Sequence, residues 1–179
     1  MKEFKPEQLV NEAKDSYRRG DYSSAARAFT AASESYLTAG EALKAAEIAN
    51  NASVAYLKAG ETQASLQAVD GTPQIFAEAG DLRRQGMALG NQAAALEACG
   101  RLNEAADLYQ QSADTLKQAG EDQLRANVMQ SLSALQLRTG RQLEALASMS
   151  AGLEDLKHPN PKQSLLKRLL RIPFKMIDQ

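Results

Sequence analysis

Along most of the chain, apolar residues recur three and four positions apart, the spacing of one helical face, in runs of roughly 16–18 residues. Ala25, Phe29 and Ala32 show the pattern in one such run. Each run stops at a glycine. Gly20, Gly40, Gly60, Gly80, Gly100, Gly120 and Gly140 are seven of the eleven glycines and fall at a period of 20. Five of them follow alanine or cysteine. Glycine just past a helix end can take the left-handed conformation that closes the last turn. Asp21, Glu41, Glu61, Asp81 and Glu121 come next, a residue class suited to a helix N-terminus. The pattern predicts one helix and one tight turn per 20 residues.

Consecutive units differ, so the repeat is a helix pair of 40 residues. The stretch from Gly20 through Ala25 to Phe29 matches Gly100–Ala105–Tyr109 and Gly140–Ala145–Met149, and more weakly Gly60–Ser65–Val69. In the alternate helices Asn11, Asn51 and Asn91 recur every 40 residues, with the small residues Ala13, Ser53, Ala93 and Ser133 two positions later. Small residues let paired helices approach closely, and Phe29, Val69, Tyr109 and Met149 fill the gaps between pairs. One pair cannot bury both its faces, whereas a stack of pairs makes a continuous core. The pattern breaks at Asp70-Gly71-Thr72-Pro73. Proline inside a helix removes a backbone hydrogen bond and clashes with the preceding turn. The fourth helix is therefore expected to break there, with Thr72 capping and Pro73 opening a short second segment. The break is either a tolerated distortion or a re-aimed partner surface.

The run Gly20, Ala25, Phe29 and Ala32 resembles the second helix of a tetratricopeptide repeat, and Tyr56 stands where that family's first helix carries an aromatic. The resemblance covers residues 6–156 as four repeats. A period of 40 rather than about 34 is similar to the variant in SNAP-type adaptors of vesicle fusion and in kinesin light chains. It implies an all-α, right-handed solenoid of four antiparallel helix pairs over residues 1–156. Residues 157–179 then form a linker and a basic, amphipathic C-terminal helix.

Composition agrees. Of 179 residues, 32 are alanine, aromatics make up 5% and tryptophan is absent. Alanine is the best helix former, and a β-sandwich or barrel would need more β-branched and aromatic residues. The N-terminal MKEFKPEQLV carries no signal-peptide core, and no stretch of about 18 apolar residues could span a bilayer, so a cytoplasmic location is expected. Cys99 and His158 stand alone, excluding an internal disulfide and a metal cluster, and Cys99 is expected as a buried thiol. Net charge is −1 but unevenly spread. Residues 157–179 hold six cations against Asp178, a net +5, which leaves −6 on residues 1–156. That balance argues against a nucleic-acid groove along the body.

Catalytic templates fail. No phosphate-binding loop is present, Gly86 to Gly90 lies within a helix as a close crossing, and one cysteine and one histidine far apart make no nucleophile–base pair. No enzyme activity, cofactor or metal is expected. Binding is the alternative. The first helices of the pairs should line the concave side, where a groove of such repeats holds a peptide or helix. Asn11, Asn51 and Asn91 would offer one amide per repeat, each both donor and acceptor. Asn50, Met87, Asn127 and Gln130 would add polar and adaptable contacts. The competing reading has these amides bonding neighbouring helices. The resemblance also brings in a carboxylate clamp, but Val10, Lys14, Met87 and Asn91 depart from its pattern, so chaperone-tail binding is disfavoured.

After Leu156 the repeat stops. His158-Pro159-Asn160-Pro161 reads as a linker, with Asn160 the cap and Pro161 the first turn of a helix. Leu165, Leu166, Leu169 and Leu170 fall on one face, with Lys167, Arg168 and Arg171 on the other. Pro173 should end or bend the helix before Phe174, Met176 and Ile177. This segment either caps the last repeat or binds a membrane or a partner. The sequence thus reads as a non-catalytic protein–protein interaction adaptor. The alternatives are a SNAP-like adaptor on a membrane through its tail and a ligand-sensing repeat domain with a deep closed pocket. The expected partner is a protein or peptide, not nucleic acid, with homodimerisation also open.

Overall fold

Seven glycines organise the computed structural model. All seven at the 20-residue period have φ between +70° and +81°. At each, the glycine N–H donates to the carbonyl three residues back, and the next N–H to the carbonyl five residues back. Examples are Gly20 to Tyr17 and Asp21 to Ser16 (both 3.0 Å), and Gly140 to Leu137 (3.2 Å) and Arg141 to Gln136 (2.8 Å). This pair of bonds satisfies the last carbonyls of a helix. The residue after the glycine then accepts the first bond of the next helix, as Asp21 does from Ala25 (3.0 Å). A single residue closes one turn and opens another, which keeps the connections short.

The structure describes residues 5–154 and 156–175, with side chains as far as residue 170. Asp155, Met176, Ile177 and Asp178, and the side chains of Arg171, Pro173 and Phe174, lie outside the described residues. Within them the chain is all-α: α1 (Pro6–Arg18), α2 (Tyr22–Thr38), α3 (Ala42–Ala59), α4 (Thr62–Val69), α5 (Thr72–Glu78), α6 (Leu82–Ala98), α7 (Leu102–Gln118), α8 (Asp122–Arg138), α9 (Gln142–Glu154) and α10 (Pro161–Lys175). Helices α1 to α4 and α5 to α10 pack on their neighbours in sequence, α4 and α5 each pack on both α3 and α6, and α6 also touches α3 and α8. The result is a helical-repeat solenoid whose pairs are α1/α2, α3 with α4 and α5, α6/α7 and α8/α9.

The small positions sit at the crossings. Ala13, Ala25, Ser53, Ser65, Ala93, Ala105, Ser133 and Ala145 are at most 2% exposed. Where serine replaces alanine, its hydroxyl bonds across the crossing: Ser65 Oγ donates to the Ser53 carbonyl (2.9 Å) and Ser133 Oγ to that of Ala145 (2.7 Å). Gly86 and Gly90 mark a close crossing of α6 with α7. Ser112 Oγ of α7 donates to the Gly86 carbonyl (2.6 Å), and a Cβ on Gly86 would lie 2.6 Å from Leu116 Cγ. Phe29, Val69 and Tyr109 are buried between pairs, while Met149 is half-buried against the terminal cluster. Burial and the Glu97 carboxylate, which accepts from Tyr109 Oη (2.8 Å), push the Tyr109 phenol well above its usual range.

Three expectations are corrected. The fourth helix does break, but Thr72 is not its cap. Gly71, at φ +71°, takes the cap position, and Thr72 turns inward. Its hydroxyl donates to the Val69 carbonyl (2.9 Å) and accepts from Asn50 Nδ2 (3.0 Å). Only glycine enters that left-handed region without cost, so Gly71→Ala should lower stability by about 1 kcal/mol in a thermal melt. An unchanged midpoint would mean that the break is not held in this conformation. Cys99 is half-buried rather than buried, because it sits at the cap position of α6 beside the Gly100 turn. Finally, of the two outcomes expected at Pro173, ending the helix is the one overturned, since α10 runs on to Lys175. A proline this close to a helix end forfeits one backbone bond in the last turn, which the helix can absorb.

The start of α10 is as expected. Gln163 N–H donates to Asn160 Oδ1 (2.9 Å) and Asn160 N–H to Gln163 Oε1 (2.8 Å), a reciprocal cap. Its leucines, however, divide. Leu170 is buried and Leu166 half-buried against Leu153, Leu156 and Met149, whereas Leu165 and Leu169 are 60% and 52% exposed. Residues 165/169 and 166/170 form two adjacent rows, and packing on α9 covers only one of them.

Candidate functional site

The first helices of the pairs carry the candidate groove, and α3 stands at its centre. On one side of α3, toward α1, lies a cleft of ≈ 490 Å³. Tyr17, Phe29 and Val54 give it an apolar interior, and Lys14 and Arg18 line it with charge. On the other side, toward α6, lies a cleft of ≈ 330 Å³ lined by Glu47, Asn50, Asn51, Phe76, Arg83, Arg84, Met87 and Asn91. Asn51 lines both.

The two adjacent asparagines do different things. A residue step of about 100° around a helix turns Asn50 inward and leaves Asn51 half-buried at the cleft wall. Asn50 Nδ2 donates to the Ala46 carbonyl (2.9 Å) and to Thr72 Oγ1 (3.0 Å). Asn50 Oδ1 accepts from Asn91 Nδ2 (3.1 Å). This chain of bonds ties the helix break to α3 and α6 and forms part of the cleft lining. Asn51 makes no side-chain hydrogen bond among the described residues, so both its donor and its acceptor face the cleft unspent.

Of the residues singled out in the sequence, Asn50, Asn51, Met87 and Asn91 come together in one cleft. Asn11 on α1, and Asn127 and Gln130 on α8, are exposed but line neither cleft; Asn127 Oδ1 instead accepts from Gln123 Nε2 (3.1 Å). Tyr17, Val54, Phe76, Arg83 and Arg84 are cleft residues that the 40-residue period did not reveal. The available signal was local: Arg83 and Arg84 lie one helical turn before Met87.

The arginines are held in place. Arg84 Nε donates to Asp81 Oδ2 (2.6 Å) and Nη1 to Glu47 Oε2 (3.3 Å), and its guanidinium stands 5.2 Å from the Phe76 ring centre. Arg83 pairs with Glu121 (2.8 Å). The Arg84 backbone N–H, then its guanidinium, holds the Asp81 carboxyl below the usual carboxylate range. The stability this pair contributes is present above the ordinary carboxylate pKa and fades as pH falls through the depressed one. Amides, an unbranched thioether and fixed guanidinia can hold a polar chain.

A larger cleft of ≈ 610 Å³ opens on the second helices between α4 and α7, beside the helix break. Its one arginine, Arg101, is paired with Glu104 (2.5 Å). Among the described residues no cluster of His, Cys, Asp or Glu is placed to hold a metal ion, and no helix is long and apolar enough to cross a membrane.

The family model described as "Soluble NSF attachment protein, SNAP" matches residues 5–155. This is a family of protein-interaction adaptors built from TPR-like helical repeats. Comparison with curated proteins gives no match.

Proposed function

We infer the function from the premise that this chain belongs to the soluble NSF attachment protein (SNAP) family. It is a non-catalytic, cytoplasmic adaptor that holds an extended segment or helix of a partner protein across α3 and α6. The observation that carries this reading is the cleft in which Asn51, Met87 and Asn91 meet, with Asn51 offering an unspent amide. An amide that both donates and accepts can pair with the backbone of a peptide of any sequence, and methionine adapts to its side chains. Asn91 already donates one N–H to Asn50, so its second N–H and its carbonyl oxygen are the parts left for a partner.

Asn51→Ala is expected to weaken partner binding about fivefold, the worth of roughly one net hydrogen bond, with no change in melting temperature. Titration of a partner segment, first located by photo-crosslinking from position 87, measures both. Undiminished affinity, or a large fall in melting temperature, would remove Asn51 from the binding surface.

A further inference from the structure

We propose that the outward row of α10 docks the protein onto an anionic lipid surface. This goes beyond the groove reading and does not depend on it. The helix has two jobs to share between two leucine rows. Leu166 and Leu170 close the end of the repeat stack against Leu153 and Leu156. Leu165 and Leu169 remain more than half exposed. One turn apart, they make a short apolar stripe that the cap does not need.

The residues around this stripe indicate what covers it. Lys162 and Arg168 are exposed beside it, and the tail as a whole carries +5 against −6 on the rest of the chain. Lys167 has turned away, donating from Nζ to the Glu154 carbonyl (2.8 Å). An interfacial helix needs this combination: leucines that enter the acyl boundary and long cations that reach the anionic headgroups. Neither Leu165 nor Leu169 lines the small cleft between α9 and α10, which is formed by Ser150, Leu153, Glu154, Lys167 and Leu170. Two leucines and a few cations predict binding that is weak, reversible and screened by salt.

The test uses the full chain with vesicles of phosphatidylcholine, with and without about 30% phosphatidylserine to supply the anionic surface. Flotation should show binding to the anionic vesicles only, falling about tenfold or more between low and high salt. Leu165→Ser with Leu169→Ser should abolish it while the melting temperature stays unchanged. Lys162→Glu with Arg168→Glu should do the same. The inward pair, Leu166→Ser with Leu170→Ser, should lower the melting temperature, and this control separates the cap from the docking row. Equal binding to neutral vesicles, or full binding by the outward double variant, would overturn the proposal. So would a dimer in light scattering that the outward variant converts to monomer with no vesicle binding, since a second copy would then cover the stripe.

Discussion

Ala105→Leu is expected to destabilise the protein by about 1–3 kcal/mol, by overpacking. Ala105 is fully buried where α7 crosses α6, in one cluster with Ala93, Leu96 and Leu132. The crossing has no slack. Further along the same two helices, Leu116 already approaches Gly86 so closely that one added Cβ would meet it at 2.6 Å. Leucine at 105 must therefore push the helices apart, and each repeat transmits such a shift to its neighbours. Urea melts should show a lower midpoint at unchanged slope. Leu143→Ala, at a site 84% exposed, serves as the control and should stay within about 0.5 kcal/mol of the parent. A neutral Ala105→Leu would place the crossing elsewhere on α7.

Asn50→Ala should cost a similar amount, about 1–3 kcal/mol, for a different reason. It removes the bonds to Ala46 and Thr72 and leaves the Asn91 amide without its acceptor. The buried Thr72 hydroxyl keeps only its bond to Val69. The loss should be localised: amide exchange should speed up in α5 and in the turn at residues 70–71, while α1 and α8 keep their protection. Uniform loss of protection would show that Asn50 supports the global core rather than the break. Partner binding should weaken too, because Asn91 and Asn51 lose a fixed wall.

The periodic features were legible in the sequence because they answer to local rules. A glycine every 20 residues is required by the left-handed turn at each helix end, and small residues every 40 by close crossings. Period alone could not tell Asn50 from Asn51. Neighbours on a helix differ by about 100°, and which one points inward depends on Thr72, a residue 22 positions away in sequence that only the break at Gly71 brings near. The same limit explains the leucines of α10, whose two rows are equivalent in pattern until α9 covers one. At the break, proline and glycine announced an interruption, but the inward turn of Thr72 answers Asn50's need for a partner in tertiary space. Arg83 and Arg84 escaped notice because their partners, Glu121 and Glu47, sit in adjacent repeats and follow no repeated residue type.

If α3 and α6 together hold the partner, as we propose, binding must leave its mark on both helices. Hydrogen exchange of the partner-bound protein against the free protein tests this most directly. Binding should protect the segments around Asn51 in α3 and Met87 in α6 and leave α4 and α7, on the second-helix side, unchanged. Protection confined to α4 and α7, at the larger cleft, would contradict the account.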